Sequence, residues 1–158
     1  MATAAPGRRG NDSSTVKAFV GQIHTALQVP TRSVVRINGI ECSRLWLQGV
    51  VVSTTEGCAQ CTVDDGTGVL RLELKSYLKR VPSGIDARPR VGDYVMAIGP
   101  MQKTKGSTDL SMRAMLAHQV IKLDAKQQRE PMWYLEVIEY WTSVVQSAAT
   151  TSTAEEQL

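Results

Sequence analysis

From Leu45 onward apolar and polar positions alternate with a period near two, the signature of half-buried strands. Leu45-Trp46-Leu47-Gln48-Gly49-Val50-Val51-Val52-Ser53 reads as a strand interrupted at Gly49, where a bulge or tight bend is expected. Thr54–Gly57 turns the chain into a short second strand, Cys61-Thr62-Val63-Asp64. Asp65-Gly66-Thr67-Gly68 is a hairpin turn with residues suited to positive φ. In Val69–Leu74, Val69, Arg71 and Glu73 take one face and Leu70, Leu72 and Leu74 the other. Tyr77–Val81 suits a short helical turn, after which Pro82, Gly84 and Pro89 impose a loop. A fourth strand, Tyr94–Gly99, ends in glycine. A polar hairpin loop is expected over Lys103–Asp109, and one or two strands over Leu110–Leu123, firmest at Val120–Leu123. Upstream, Val16–Leu27 fits both a helix face (Val16, Phe19, Val20, Ile23, Leu27) and alternation (Val16, Ala18, Val20). Gly21 and the β-branched content favour an extended segment.

The period changes at Pro131, a residue suited to the first turn of a helix. On a helical projection of Pro131–Gln146, Glu136, Glu139, Ser143, Gln146 and Ser147 occupy about 100°. Apolar side chains fill most of the remaining ~220°, whereas a helix docked on a single core needs a stripe of only about 100°. Two stripes result: Leu135/Ile138/Val145 and Tyr134/Val137/Trp141/Val144. Periodicity does not say which faces the chain's own core. The expectation is that Leu135 and Ile138 pack inward, and that Val137 and Trp141 meet a partner.

Five short strands with closely spaced turns, a longer insertion between the third and fourth, and a closing helix give the plan of a mainly β protein. The predicted architecture is a five-stranded Greek-key barrel of the OB-fold type with a C-terminal α-helix. The expected organisation is a disordered arm over residues 1–15, an OB domain over 16–146 that includes the partner helix (131–146), and a disordered tail over 147–158. The 158 residues and 42% hydrophobic content suffice for one real core. No apolar run approaches the ~20 residues of a membrane span, and the opening residues lack the apolar core of a signal peptide. The expected location is therefore the cytosol or nucleus.

Catalytic chemistry finds little footing. His24 and His118 are the only histidines, and neither accompanies a nucleophile turn. Asp64-Asp65-Gly66-Thr67-Gly68 lacks the later bidentate Glu of a calcium loop. Cys58-Ala-Gln-Cys61 has zinc-ligand spacing without a second cysteine pair, so no metal or other cofactor is expected. The net charge of +3 decides nothing alone, but its distribution is uneven. Between Arg71 and Lys105 stand eight bases (Arg71, Lys75, Lys79, Arg80, Arg88, Arg90, Lys103, Lys105) against three acids (Glu73, Asp86, Asp93), an excess of +5. Such a groove suits single-stranded DNA, yet the aromatic platforms that contribute ~1–3 kcal/mol per stacked base are missing from Cys61–Asp64 and Val69–Leu74. Arg71, Lys75, Lys79, Arg80, Lys103 and Lys105 are therefore candidates only for weak, salt-sensitive phosphate contact.

Leu45-Trp46-Leu47-Gln48-Gly49-Val50-Val51, Val63-Asp64-Asp65-Gly66-Thr67-Gly68, Val91-Gly92-Asp93-Tyr94-Val95-Met96 and Trp133-Tyr134-Leu135-Glu136-Val137 together resemble the RecQ-mediated genome instability protein 2 family. Its members are OB-fold subunits related to the middle subunit of replication protein A, and the similarity runs from about Val16 to Trp141. The resemblance implies a non-catalytic nuclear subunit of the complex between a Bloom-type RecQ helicase and topoisomerase III, which dissolves double Holliday junctions. It implies heterodimerisation, through terminal helices, with a larger OB-fold sister of the RecQ-mediated genome instability protein 1 type, and only indirect engagement of DNA. Here that partner surface maps onto Trp133, Leu135, Val137, Ile138, Trp141, Val144 and Val145. The competing expectation is a stand-alone single-stranded DNA-binding OB protein.

Overall fold

A computed structural model describes residues 15–28, 34–102, 113–124 and 128–156; the side chains of 27, 28, 145 and 148–156 are outside that description. The alternating segments become strands as their pattern requires. β1 (Val16–Lys17) runs parallel to β5 (Leu45–Thr54), and β5 pairs antiparallel with both β6 (Gln60–Asp64) and β8 (Tyr94–Gly99). β6 pairs with β7 (Val69–Glu73), β7 runs parallel to β9 (Ala114–Leu116), and β10 (Gln119–Lys122) returns antiparallel to β8. Because only Ala117 and His118 separate β9 from β10, these two act as one bent fifth strand that bridges β7 and β8 and closes the ring. That connectivity is the five-stranded OB barrel. Leu45, Leu47, Val51, Val63, Leu70, Leu72 and Met115 fill its interior.

Gly49 does not host the expected bulge. The extra residue is Val52, between the pairs Val51–Val63 and Ser53–Thr62. Gly49 is needed for a close approach instead, since a Cβ there would lie 2.7 Å from the Asp64 carbonyl oxygen. Gly99 plays the same part where the carbonyl of Leu116 crosses it.

The ambiguous segment is not simply extended. After β1 the chain makes a six-residue helix, α1 (Val20–Thr25), before β2 (Leu27–Gln28). Its first N–H groups are satisfied from far away in sequence. The Asp65 carboxylate accepts from Val20 N–H at 2.7 Å, and the Thr67 hydroxyl from Gly21 N–H at 2.8 Å. At the other end the Arg113 guanidinium donates to the Ile23 and His24 carbonyls. Tertiary caps thus override a weak local propensity. β2 joins β3 (Val35–Ile37) and β4 (Ile40–Cys42), a hairpin closed by Asn38-Gly39 with φ of 50° and 80°. Two positive φ values at this dipeptide are what a two-residue primed turn demands. α2 (Lys75–Arg80) occupies the stretch between β7 and β8.

The terminal helix, α3 (Arg129–Glu156), is longer than expected. The boundary at 146 and the disordered tail beyond it are corrected: helix continues to Glu156, with 157–158 outside the described residues. No Gly or Pro follows Pro131 to stop it, and Ala148, Ala149 and Ala154 are strong helix formers. Of the expected arm over residues 1–15 all but Thr15 lies outside the description, as does the whole of the expected polar loop over Lys103–Asp109.

Candidate partner-binding face

α3 lies across the outer side of β1 and β5, where Trp46 and Gln48 project, and its faces are assigned by what they touch. Trp133, Val137 and Trp141, spaced four residues apart, are buried at 1%, 1% and 7% exposure. The Trp133 ring stacks on Trp46 at 5.5 Å between centroids, with 35° between the ring planes. Lys17 covers Trp46 from another direction, its Nζ 4.9 Å from the ring centroid, and also pairs with Glu136 of α3 at 3.4 Å. The Trp141 indole N–H donates to the Lys17 carbonyl at 2.7 Å. Tyr140 and Val144, both half-buried, continue this inner face.

At the start of α3, Tyr134 tilts against Phe19 at 5.5 Å, and its hydroxyl donates to the Asp65 carbonyl, with the Glu130 carboxylate also in reach. A Cβ at Gly66 (φ 86°) would collide with that hydroxyl. The Asp64–Gly68 turn therefore ties together the β6–β7 hairpin, the start of α1 and the N-terminal end of α3. Tyr94 points into the same seam and donates to Gln48 at 3.2 Å. Burial first, and then the nearby Glu130 carboxylate, push its phenol up to about 12.

The outward face of α3 carries the other stripe. Leu135 and Ile138 are 63% and 55% exposed, and Met132 in the first turn is 53% exposed. The two stripes read from the periodicity exist, but their assignment is reversed. Val137 and Trp141, with Trp133, seal the chain's own barrel, while Leu135 and Ile138 face outward. The reason is area: each Trp buries about 150–250 Å², so the tryptophan-bearing face gains more from its own barrel than the Leu/Ile face would. The uneven distribution of tryptophan was the signal available in the sequence. Of the seven candidate partner residues, Leu135 and Ile138 are exposed, Val144 is half-buried, and the Val145 side chain is outside the description.

The outer surface of β6 and β7 presents Gln60, Thr62, Asp64, Val69, Arg71 and Glu73, without an aromatic ring among them. Tyr77 donates to the Val120 carbonyl at 3.0 Å, so it and Tyr94 both use their hydroxyls within the fold. The candidate bases divide. Arg71 pairs with Glu73 at 3.5 Å, and Arg80 donates to the His118 carbonyl. Lys75 and Lys79 are exposed on α2, and Lys103 and Lys105 lie outside the described residues. Cys42, Cys58 and Cys61 are buried free thiols, and burial raises Cys61 to about 12. Among the described residues no cluster of three His, Cys, Asp or Glu side chains forms, and no helix is long and apolar enough to cross a membrane.

Three solved structures share this architecture. A chain of the S. pombe Stn1-Ten1 complex superimposes with a TM-score of 0.69 at 16% identity, covering 88% of this chain and 99% of that one. A chain of a replication protein A heterotrimer bound to single-stranded DNA gives 0.62 at 18% identity, covering 83% and 98%. A chain of yeast RPA bound to single-stranded DNA gives 0.58 at 19%, covering 80% and 89%. At these identities the likeness establishes the OB fold. Comparison with curated protein sequences finds no match. The sequence profile of RecQ-mediated genome instability protein 2 matches residues 14–141, from just before β1 to the last buried tryptophan of α3. The chain therefore belongs to the RecQ-mediated genome instability protein 2 family, OB-fold proteins of genome maintenance.

Proposed function

We propose that this protein is a non-catalytic OB-fold subunit of a Bloom-type RecQ helicase–topoisomerase III complex in the nucleus. It heterodimerises with a larger OB-fold sister subunit and supports dissolution of double Holliday junctions. The observation that carries this reading is the outward row of α3: Leu135 and Ile138 stay in water on a helix whose opposite face already completes the barrel. Helix from Val145 to Glu156 extends about 18 Å further at 1.5 Å per residue, providing more surface for a partner helix. Burying Leu135 and Ile138 stabilises an association by about 1.5–3 kcal/mol each before association costs. The aromatic-free outer surface of β6 and β7 supports engagement of DNA through the partner rather than by base stacking.

The test is co-expression of the full chain, untagged, with the tagged sister subunit. Leu135→Asp/Ile138→Asp is expected to abolish copurification while leaving the thermal transition of the isolated chain within a few degrees of wild type. Undiminished recovery of this double variant would overturn the reading.

A further inference from the structure

The local excess of positive charge read from the sequence is sorted by the fold into neutralised and unneutralised parts. Arg88 and Arg90 both lean on Asp86, at 3.7 and 3.1 Å, Lys122 pairs with Asp93 at 3.2 Å, and Arg71 with Glu73. Glu73 is further occupied by the Gln60 amide at 2.8 Å. What remains is α2. Its six residues, Lys-Ser-Tyr-Leu-Lys-Arg, contain no acid, and neither Lys75 nor Lys79 has an ion pair among the described residues. Tyr77 and Leu78 turn inward, and Lys75, Ser76, Lys79 and Arg80 are exposed. Arg80 is held in place through the His118 carbonyl and the Ser76 carbonyl, with guanidinium N–H groups to spare. A shallow cleft beside this face is lined by Glu73, Lys75, Ser76, Gln102, Leu116 and Ala117, and the Glu73 carboxylate in it is the one already engaged by Arg71 and Gln60.

We propose that this face of α2, with Lys75, Lys79 and Arg80 as its cations, binds the phosphodiester backbone of a nucleic-acid strand without reading its bases. Lys75 and Lys79 are four residues apart, about 6 Å along the axis, and so reach separate phosphates of a strand that carries one charge per roughly 3.4 Å. Two lysines are point donors that tolerate any backbone direction, and a cation already fixed by a carbonyl adds a preformed donor. Base stacking finds no platform on this surface among the described residues, because Tyr77 packs against the core with its hydroxyl on the Val120 carbonyl. The site stands on α2 and is independent of the outward row of α3, so it fails or holds separately from the partner reading. Strand binding here is weak, with Kd of about 10⁻⁴–10⁻⁶ M, the range of purely electrostatic contact.

Fluorescence anisotropy of the full chain with labelled oligothymidine and a mixed-sequence oligonucleotide of equal length, between 20 and 200 mM salt, tests this. The expected result is equal affinity for both strands and a log–log salt slope that falls by about 1.4 in Lys75→Gln/Lys79→Gln, from roughly 0.7 per lost single-strand phosphate contact. Lys122→Gln, which loses a cation already paired with Asp93, is expected to leave the slope unchanged. The proposal is overturned if wild type shows no binding at 20 mM salt, if the α2 variant keeps the wild-type slope, or if Lys122→Gln lowers it equally. It is also overturned if polyglutamate of matched charge competes as well as unlabelled oligonucleotide, which would mark a face for acidic peptide.

Discussion

Trp133 joins α3 to the barrel, and Trp133→Ala tests which face of the helix packs on it. The side chain is 1% exposed, stacks on Trp46 and anchors the inner face of α3. Truncating a buried Trp to Ala costs about 3–5 kcal/mol through lost transfer energy and the cavity left behind. The lost ring pair, about 0.5–1.5 kcal/mol, falls within that total. With a urea m-value of about 2 kcal/mol/M, the midpoint should drop by roughly 1.5–2.5 M. The indole N–H of Trp133 is buried with no hydrogen-bond partner among the described residues. Trp133→Phe therefore removes an unsatisfied donor, itself a penalty of about 1–3 kcal/mol, and should come within about 1.5 kcal/mol of wild type. Leu135→Ala, on the exposed face, should stay within about 0.5 kcal/mol. Equilibrium urea unfolding of the isolated chain, followed by tryptophan fluorescence and by circular dichroism, reads all three. A larger loss for Leu135→Ala than for Trp133→Ala would refute the assignment of the two faces.

Asp65→Ala should cost about 2–3 kcal/mol, since the carboxylate accepts from Val20 N–H and from the N–H and hydroxyl of Thr67; a change under 0.5 kcal/mol in urea unfolding would contradict that role. Gly99→Ala should destabilise by at least about 1–3 kcal/mol because its Cβ would overlap the Leu116 carbonyl at the barrel closure, which a wild-type thermal transition would refute. Tyr94 and Cys61 both hold their protons more tightly folded than unfolded, their ordinary values of 10.0 and 9.0 being raised to about 12 mainly by burial. The stability they contribute is complete below pH 9, and is lost as pH rises through about 12. The urea midpoint should therefore fall over that window, more gently in Tyr94→Phe and Cys61→Ala than in wild type. A midpoint that stays flat to pH 12 would contradict it.

The strands of the barrel were legible because each has one wet face, which imposes a period of two on Leu45–Ser53, Val69–Leu74 and Tyr94–Gly99. α1 was not, since its six residues are helical by virtue of Asp65 and Arg113, which stand far from it in sequence. The Asn38-Gly39 hairpin carried a recognisable turn dipeptide but joins strands of only three residues each, too short for alternation to show. For α3 the periodicity yielded both apolar stripes and left their direction open. That choice depends on what Trp46 and Lys17 offer from the barrel, a three-dimensional fact. The basic residues between Arg71 and Lys105 look uniform in sequence, and only the fold separates those matched by Asp86 and Glu73 from the lysines of α2.

Hydrogen exchange of the chain alone and bound to its sister OB subunit locates the partner contact on the molecule. Added protection concentrated in α3 from Met132 onward, with the β6–β7 hairpin unchanged, is the predicted pattern. Protection gained on β6–β7 while α3 exchanges as in the free chain would contradict it.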